Sequence, residues 1–292
     1  MGGNSISETT GAALTDTIVT EIQFTVRDPK HKREKPYDLR YEAGGAIPKT
    51  NARSESHQTK ILNFRPFQNA QNFDEFGFSV ESLSSAWTES MFDEKEKIKD
   101  LYYHEVESIL RRKFPDATGV YILEHGLRKR HVQFPALEKG ISVEYSQPAT
   151  LAHIDCSLNV AVRTAQSAFS IASDQCQRVL SINFWKSLQG PGNDWPLALC
   201  DQRTMNHSLD TIVADVVYPN RYTENESGFY NPQQEWYYIK DLADDEIVMF
   251  LQKDSGIESG GGVAHTSFYN SSVTEDAKPR TSIEMRTYVV FA

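Results

Sequence analysis

The sequence predicts a mainly β fold, an antiparallel sandwich or barrel with helices packed outside it. Three observations carry that prediction. From about residue 117 onward, short apolar runs alternate with turn residues: GVYILEHGL, ISVEYS, LAHIDCSLNVAV, RVLSINFWKSL, LALCDQR, TIVADVVYP, EWYYIKDL, EIVMFLQKD, VAHTSFYN and SIEMRTYVVFA. One strong amphipathic helix precedes them at Phe92–Phe114, where Ile98, Leu101, Tyr102, Val106, Ile109 and Leu110 recur at three- and four-residue steps until Pro115 ends the pattern. The aromatic content of 11% and apolar content of 39% are those of a chain with a packed core.

Residues 1–18 are polar and rich in Gly, Ser and Thr, and are expected to be mobile. Residues 35–80 carry aromatic and proline punctuation without a helical period, which reads as extended chain and turns. The helix at Phe92–Phe114 follows, then the strand series, with a second helix expected at Arg163–Arg178. There is no internal repeat. At 292 residues, the expectation is one domain over 19–292 whose strand-built core spans about 117–292.

Charge and composition narrow the function. The formal net charge is −10, which disfavours nucleic acid or an anionic membrane as the main partner. The basic clusters Lys30–Lys35 and Arg128–His131 read as solvated surface. No apolar run approaches the roughly 20 residues a membrane span needs. The opening MGGNSISETTGAALTD lacks a basic segment followed by an apolar one, so no secretory signal is expected. Cys156, Cys176 and Cys200 are odd in number and lack C-x-x-C spacing; reduced thiols in the cytoplasm are the expectation. Oligomeric state is not legible.

The chemistry resides in the histidines. Of eight, only His153 has a carboxylate two residues on, Asp155 in LAHIDC. On a strand, residues i and i+2 share a face, so this pair can offer an imidazole and a carboxylate oxygen to one point. Two histidines and one carboxylate with open positions are the ligand set of non-haem Fe(II) oxygenases. The second histidine must come from downstream, either His207 in a polar connection or His265 in the apolar run GGVAHTSFY. His265 is the better candidate, because Arg280-Thr281-Ser282 follows it and opens the last strand. Arginine is a fixed planar fork for a carboxylate, and a serine two residues on can donate to its second oxygen. An oxygenase that uses 2-oxoglutarate needs that pair for the far carboxylate of its cosubstrate. Arg286, farther along the same strand face, is a rival anchor.

Further stretches carry a family resemblance: INFWKSLQGPGNDWPLALCDQRTM (182–205), DVVYPNR (215–221), QEWYYIKDLADDEIVMFLQKDS (234–255), AHTSFYNSSVTEDAKPRTSIEMRTYVVF (264–291) and LNFRPF (62–67). Over roughly residues 60–292 the chain resembles the fungal hydroxylase/desaturase group, the 7α-cephem-methoxylase-like and gibberellin-desaturase-like members of the Fe(II)/2-oxoglutarate oxygenase superfamily. The resemblance implies a double-stranded β-helix, a distorted jelly roll. It implies iron ligands at His153, Asp155 and His265, with Arg280 and Ser282 holding 2-oxoglutarate. Where that family usually has W-R-P, this chain has Trp185-Lys186-Ser187, which makes Lys186 a further candidate for the cosubstrate or substrate. Asp201 and Arg203 are either a structural ion pair or part of the mouth of the site.

The implied reaction consumes Fe(II)-bound 2-oxoglutarate and O2, releases succinate and CO2, and abstracts hydrogen from an unactivated C–H bond of a small secondary metabolite. Hydroxylation, desaturation and ring formation are all compatible with that chemistry. Two other readings remain open at this point: a cupin-type dioxygenase without a cosubstrate, and a metal-free jelly-roll binding module. A protein side chain as substrate is a further possibility.

Overall fold

The computed structural model describes residues 16–69, 72–93, 98–138, 141–172, 176–274 and 277–292. Among the described residues, fourteen strands form two sheets. They are β1 (Ile18–Thr25), β2 (Tyr37–Leu39), β3 (Ser54–Asn63), β4 (Phe78–Ser82), β5 (Gly119–Lys129), β6 (His153–Ile154) and β7 (Arg178–Ser187), then β8 (Leu197–Cys200), β9 (Thr211–Val217), β10 (Tyr222–Gly228), β11 (Trp236–Tyr238), β12 (Glu246–Asp254), β13 (His265–Ser267) and β14 (Thr281–Phe291). The larger sheet has the order β1-β3-β11-β8-β13-β6-β10-β9-β2, the smaller β4-β12-β7-β14-β5. Neighbours are antiparallel except β3 with β11 and β2 with β9. Two facing, curled sheets of this kind are the expected jelly roll.

Both sheets also take strands from before residue 117. β1 pairs with β3 along its whole length, and β4 closes the outer edge of β12. Of the segment expected to be mobile, residues 1–15 lie outside the described residues, and Ile18 already opens β1 with its side chain buried.

Among the described residues the α-helices are α1 (Asn72–Phe76), α2 (Tyr103–Lys113), α3 (Leu158–Phe169) and α4 (His207–Asp210). α2, entered through one wider turn at Ile98–Tyr102, buries Val106, Ile109 and Leu110 as its periodicity requires. Arg111, Arg112 and Lys113 in its last turn complement the helix dipole. The predicted second helix is shifted: α3 starts where the Ser157 hydroxyl accepts the Val160 N–H, and stops at Ser170, whose φ of 56° ends it in the left-handed region. Arg178 belongs instead to β7, and LNVAV is helical rather than strand. ISVEYS forms no strand, only a bridge from Ser146 to Arg128.

β7 lies in the middle of the smaller sheet, and its residues after Arg178 are buried on both faces. One face packs on α2, where Ile182 and Phe184 meet Val106, Ile109 and Leu110 in the main core. The other faces the larger sheet. Cross-strand register sets the residues of that inner face in rows. Phe250, Asn183, Arg286 and Glu124 form one row; Val248, Trp185, Glu284 and Gly126 the next; Ser187, Ser282 and Arg128 the third. A polar inner face opposite a histidine-bearing sheet is what positions the site.

Candidate active site

His153 and His265 are cross-strand partners, β6 on β13. Their rings lie 4.5 Å apart, centroid to centroid. Asp155 follows β6 in a bend, and its backbone N–H is taken by the Gln252 side chain at 2.7 Å. The i, i+2 geometry still holds: Asp155 Oδ1 stands 3.2 Å from His153 Nε2 and 3.8 Å from His265 Nε2. Cis ligand atoms around a first-row metal, each about 2.1 Å from it, are about 3 Å apart, so this spacing suits one ion. Among the described residues, these three are the converging set of potential ligands. His207, the other candidate for the distal histidine, is not among them.

Each ring is oriented through its other nitrogen. His153 Nδ1 lies 2.7 Å from Leu151 O, and His265 Nδ1 3.2 Å from Val263 O. A carbonyl only accepts, so Nδ1 carries the hydrogen in both rings and Nε2 presents a lone pair. Burial, with His153 alongside, brings the His265 pKa down to about 3, which keeps that ring neutral and able to ligate. Burial pushes the Asp155 carboxyl upward, but Arg286 and the two histidines pull harder and hold it well below the usual carboxylate range. Its Oδ2 is occupied by Asn183 Nδ2 at 2.7 Å and Arg286 Nη2 at 3.3 Å, while Oδ1 faces the rings. Imidazole lone pairs and an ionised carboxylate are the donor set that borderline divalent metals such as Fe(II) accept. Gly262 allows the local fold: at φ 112° its Cβ position lies 2.3 Å from Gln252 O, so only glycine lets this turn pass the residue that holds Asp155.

A narrow cavity adjoins the two rings, lined by His153, His265, Trp185, Leu197, Arg128, Arg280 and Glu284 among others. Arg280 is buried; its Nε donates to Ser282 Oγ at 3.1 Å and its Nη1 to Trp195 O at 2.8 Å. Its guanidinium stacks 5.1 Å from the Trp185 ring. Burial and neighbouring Arg128 lower the Arg280 pKa to about 9, so it stays cationic at neutral pH but in a setting that favours an incoming anion. The buried Trp185 Nε1–H has no acceptor in the protein, which leaves a donor in the cavity wall unsatisfied.

The remaining candidates separate. Arg286 contacts Asp155 Oδ2, Glu124 and Glu284, so it acts on the carboxylate of the triad rather than beside Arg280. Lys186 is not in the site. Its neighbour Trp185 faces inward, and strand alternation sends Lys186 to the helix side, where Nζ donates to Ala243 O and Glu246 O, both at 3.1 Å. Asp201 and Arg203 form a structural pair, with Nη2–Oδ2 at 2.7 Å, while Asp201 also accepts the Arg203 N–H.

The basic cluster Arg128–His131 is corrected in part. Arg128 lines the cavity, and Arg130 pairs with buried Asp194 at 2.7 Å. Asn183 and Glu284 were missed. The signal for both was strand parity, since Asn183 shares a face with Trp185 and Glu284 with Ser282 and Arg286. Burial and the charge on Asp155 push the Glu284 carboxyl upward.

A family model described as an oxidoreductase/YMDC permease-like domain matches residues 22–290. The chain is 25% identical over 286 residues to the Fe(II)/2-oxoglutarate-dependent dioxygenase nvfI of Aspergillus novofumigatus, covering 92% of this chain and 95% of that protein. It is 24% identical to the hydroxylase/desaturase efuI of Hormonema carpetanum, over 84% of this chain and 87% of that one. Among solved structures, an iron and alpha-ketoglutarate-dependent endoperoxidase NvfI superposes with a TM-score of 0.79 at 21% identity, over 94% of this chain and 98% of that chain. That likeness shows the fold.

Proposed function

We propose, from the premise that this chain belongs to the oxidoreductase/YMDC permease-like domain family, that the His153–Asp155–His265 cluster is its iron centre. The protein is an Fe(II)/2-oxoglutarate-dependent oxygenase of fungal secondary metabolism; its relative nvfI is named an Fe(II)/2-oxoglutarate-dependent dioxygenase and its relative efuI a hydroxylase/desaturase. The observation that carries the site assignment is the shared orientation of three ligand atoms, two Nε2 lone pairs and Asp155 Oδ1, each set by a hydrogen bond on its other side.

In this reading His153 and His265 ligate through Nε2 and Asp155 through Oδ1. Asn183 and Arg286 keep Oδ2 occupied, so the carboxylate is offered in one orientation. Arg280 takes the far carboxylate of 2-oxoglutarate. Ser282 Oγ accepts from Arg280 Nε, so its own hydroxyl hydrogen is left to donate to that carboxylate. Bound iron, with 2-oxoglutarate and O2, supplies the oxidant that removes hydrogen from an unactivated C–H bond. Buried side chains around it exclude water from competing reactions.

The substrate is a small molecule. The relatives include an endoperoxidase and hydroxylase/desaturases, and the choice among such outcomes depends on how the substrate's C–H bond is held. A cupin-type enzyme without a cosubstrate would have no use for a buried Arg280–Ser282 pair beside the histidines, and a metal-free binding module none for the oriented ligands. Residues 19–292 act as one oxygenase domain. No described helix is long and apolar enough to cross a membrane; the free thiols of Cys156, Cys176 and Cys200 support a reducing cytoplasm. The test is succinate release. It should require Fe(II), 2-oxoglutarate and O2 together, and succinate formed without any one of them would refute the assignment.

A further inference from the structure

Arg128 was expected at the surface, yet it lines two spaces, both of which also touch Glu284. One is the cavity with His153, His265 and Arg280. The other is a groove of about 160 Å³ along β5 and β14, lined by Glu124, Gly126, Ser146 and Arg286 as well. Cross-strand pairing sets Arg128 directly opposite Ser282, level with the carboxylate end of the cavity. Gly126, the next inward-facing residue of β5, presents no side chain, and a Cβ there would meet nothing within 4 Å. The Arg128 head therefore has room beside Glu284.

Its protein contacts do not use up the guanidinium. Nη1 donates to Gln147 O at 2.8 Å, and Nε stands 3.9 Å from Glu284 Oε2, beyond hydrogen-bond reach. Neither contact engages Nη2. Its positive charge is felt at Arg280, whose proton affinity it lowers. Two arginines and one carboxylate, Glu284, leave the cavity wall with a net positive charge, before any metal is counted. Two like charges on one cavity wall are costly unless an anion joins them. 2-Oxoglutarate carries one carboxylate at each end.

We propose that Arg128 is a second carboxylate-binding cation of the cosubstrate cavity, acting with Arg280 on 2-oxoglutarate. This rests on the iron-site reading above. It follows that cosubstrate affinity depends on two strands of the smaller sheet, β5 and β14, and not on the R-x-S segment alone.

The experiment is an anaerobic titration of Fe(II)-loaded protein, read by the metal-to-ligand charge-transfer absorbance. The probes are 2-oxoglutarate and 2-oxovalerate, which lacks the far carboxylate. Arg128→Gln should raise the Kd for 2-oxoglutarate by about tenfold or more. Fe(II) affinity without cosubstrate should stay within about twofold, and Arg128→Lys, which keeps the charge but loses the fork, should fall between. If 2-oxovalerate binding is spared, Arg128 serves the far carboxylate; if it weakens equally, Arg128 serves the metal-bound end. Either result supports the proposal. A Kd for 2-oxoglutarate within about twofold of the unsubstituted protein, while Arg280→Ala loses binding, overturns the role of Arg128 alone. If the unsubstituted protein forms no charge-transfer band, the iron-site reading fails and this proposal fails with it. Should Arg128→Gln not fold, the lysine variant decides on the same criterion.

Discussion

Replacing Arg280 by methionine should cripple cosubstrate binding while leaving the iron ligands in place. Methionine fills similar volume against Trp185 but carries no charge. Arg280 is 3% exposed, and its guanidinium already holds the Ser282 hydroxyl and the Trp195 carbonyl, so it is preorganised before a ligand arrives. Removing one partner of a buried, hydrogen-bonded charge pair costs about 2–5 kcal/mol, because the other charge is left desolvated and unpaired. At about 1.4 kcal/mol per tenfold, the Kd for 2-oxoglutarate should rise at least about thirtyfold. Isothermal titration with Fe(II) replaced by a redox-inert divalent ion measures this without turnover. The same variant should bind 2-oxovalerate nearly as the unsubstituted protein does, since that ligand has no far carboxylate to lose. A thirtyfold loss for both ligands would mean that Arg280 supports the cavity rather than the carboxylate. A change below about threefold for 2-oxoglutarate would refute the anchor outright.

Other consequences follow from the same geometry. Asn183→Leu frees Asp155 Oδ2 from its 2.7 Å donor and should weaken divalent-metal affinity about tenfold to a hundredfold, measurable by competition with a chelator. Unchanged affinity would show that Arg286 alone orients the carboxylate. Lys186→Met should leave the Kd for 2-oxoglutarate within about twofold, because Lys186 lies on the other face of β7. Its own effect is on stability. Burial lowers the Lys186 pKa to about 8 from an ordinary 10.5, so between those values the unfolded chain holds more protons and stability rises with pH. Chemical denaturation from pH 8 to 10.5 should show that rise, and the methionine variant should lose Lys186's share of it. The metal-free protein should also lose stability as pH falls below 6.5. His265 is held near 3 in the fold, so the unfolded chain binds the extra proton over that window, at up to about 1.4 kcal/mol per pH unit. A flat stability profile between pH 6.5 and 4.5 would contradict a buried neutral His265.

What the sequence made legible follows from periodicity and parity. His153 and Asp155 could be paired because i and i+2 share a face even where, as here, the strand itself is only two residues long. The helix expected at Phe92–Phe114 declared itself by a 3.6-residue apolar period and a following proline, but its α-helical part is Tyr103–Lys113, after a wider turn at Ile98–Tyr102 that leaves Leu101 exposed. The boundaries of α3 were misread because its start depends on one capping serine and its end on one left-handed residue, which apolar periodicity does not register. β10 went unseen because TENESG is polar; it is a strand through its pairing with β9 and β6, not through its own composition. The placement of Lys186 and Arg128 turned on which side of a strand faces the second sheet. Lys186 looked functional because it stands where the resembled family has the arginine of W-R-P, and Arg128 looked solvated as one of a basic cluster, yet strand parity in the folded sheet reverses both.

The central claim is that His153, Asp155 and His265 hold iron to which 2-oxoglutarate is bound. Anaerobic addition of Fe(II) and then 2-oxoglutarate should produce a metal-to-ligand charge-transfer band that saturates at one iron per chain. Asp155→Ala, with its fold confirmed, should abolish that band and the tight iron site together. No band in the unsubstituted protein, or an undiminished one in Asp155→Ala, would contradict the account.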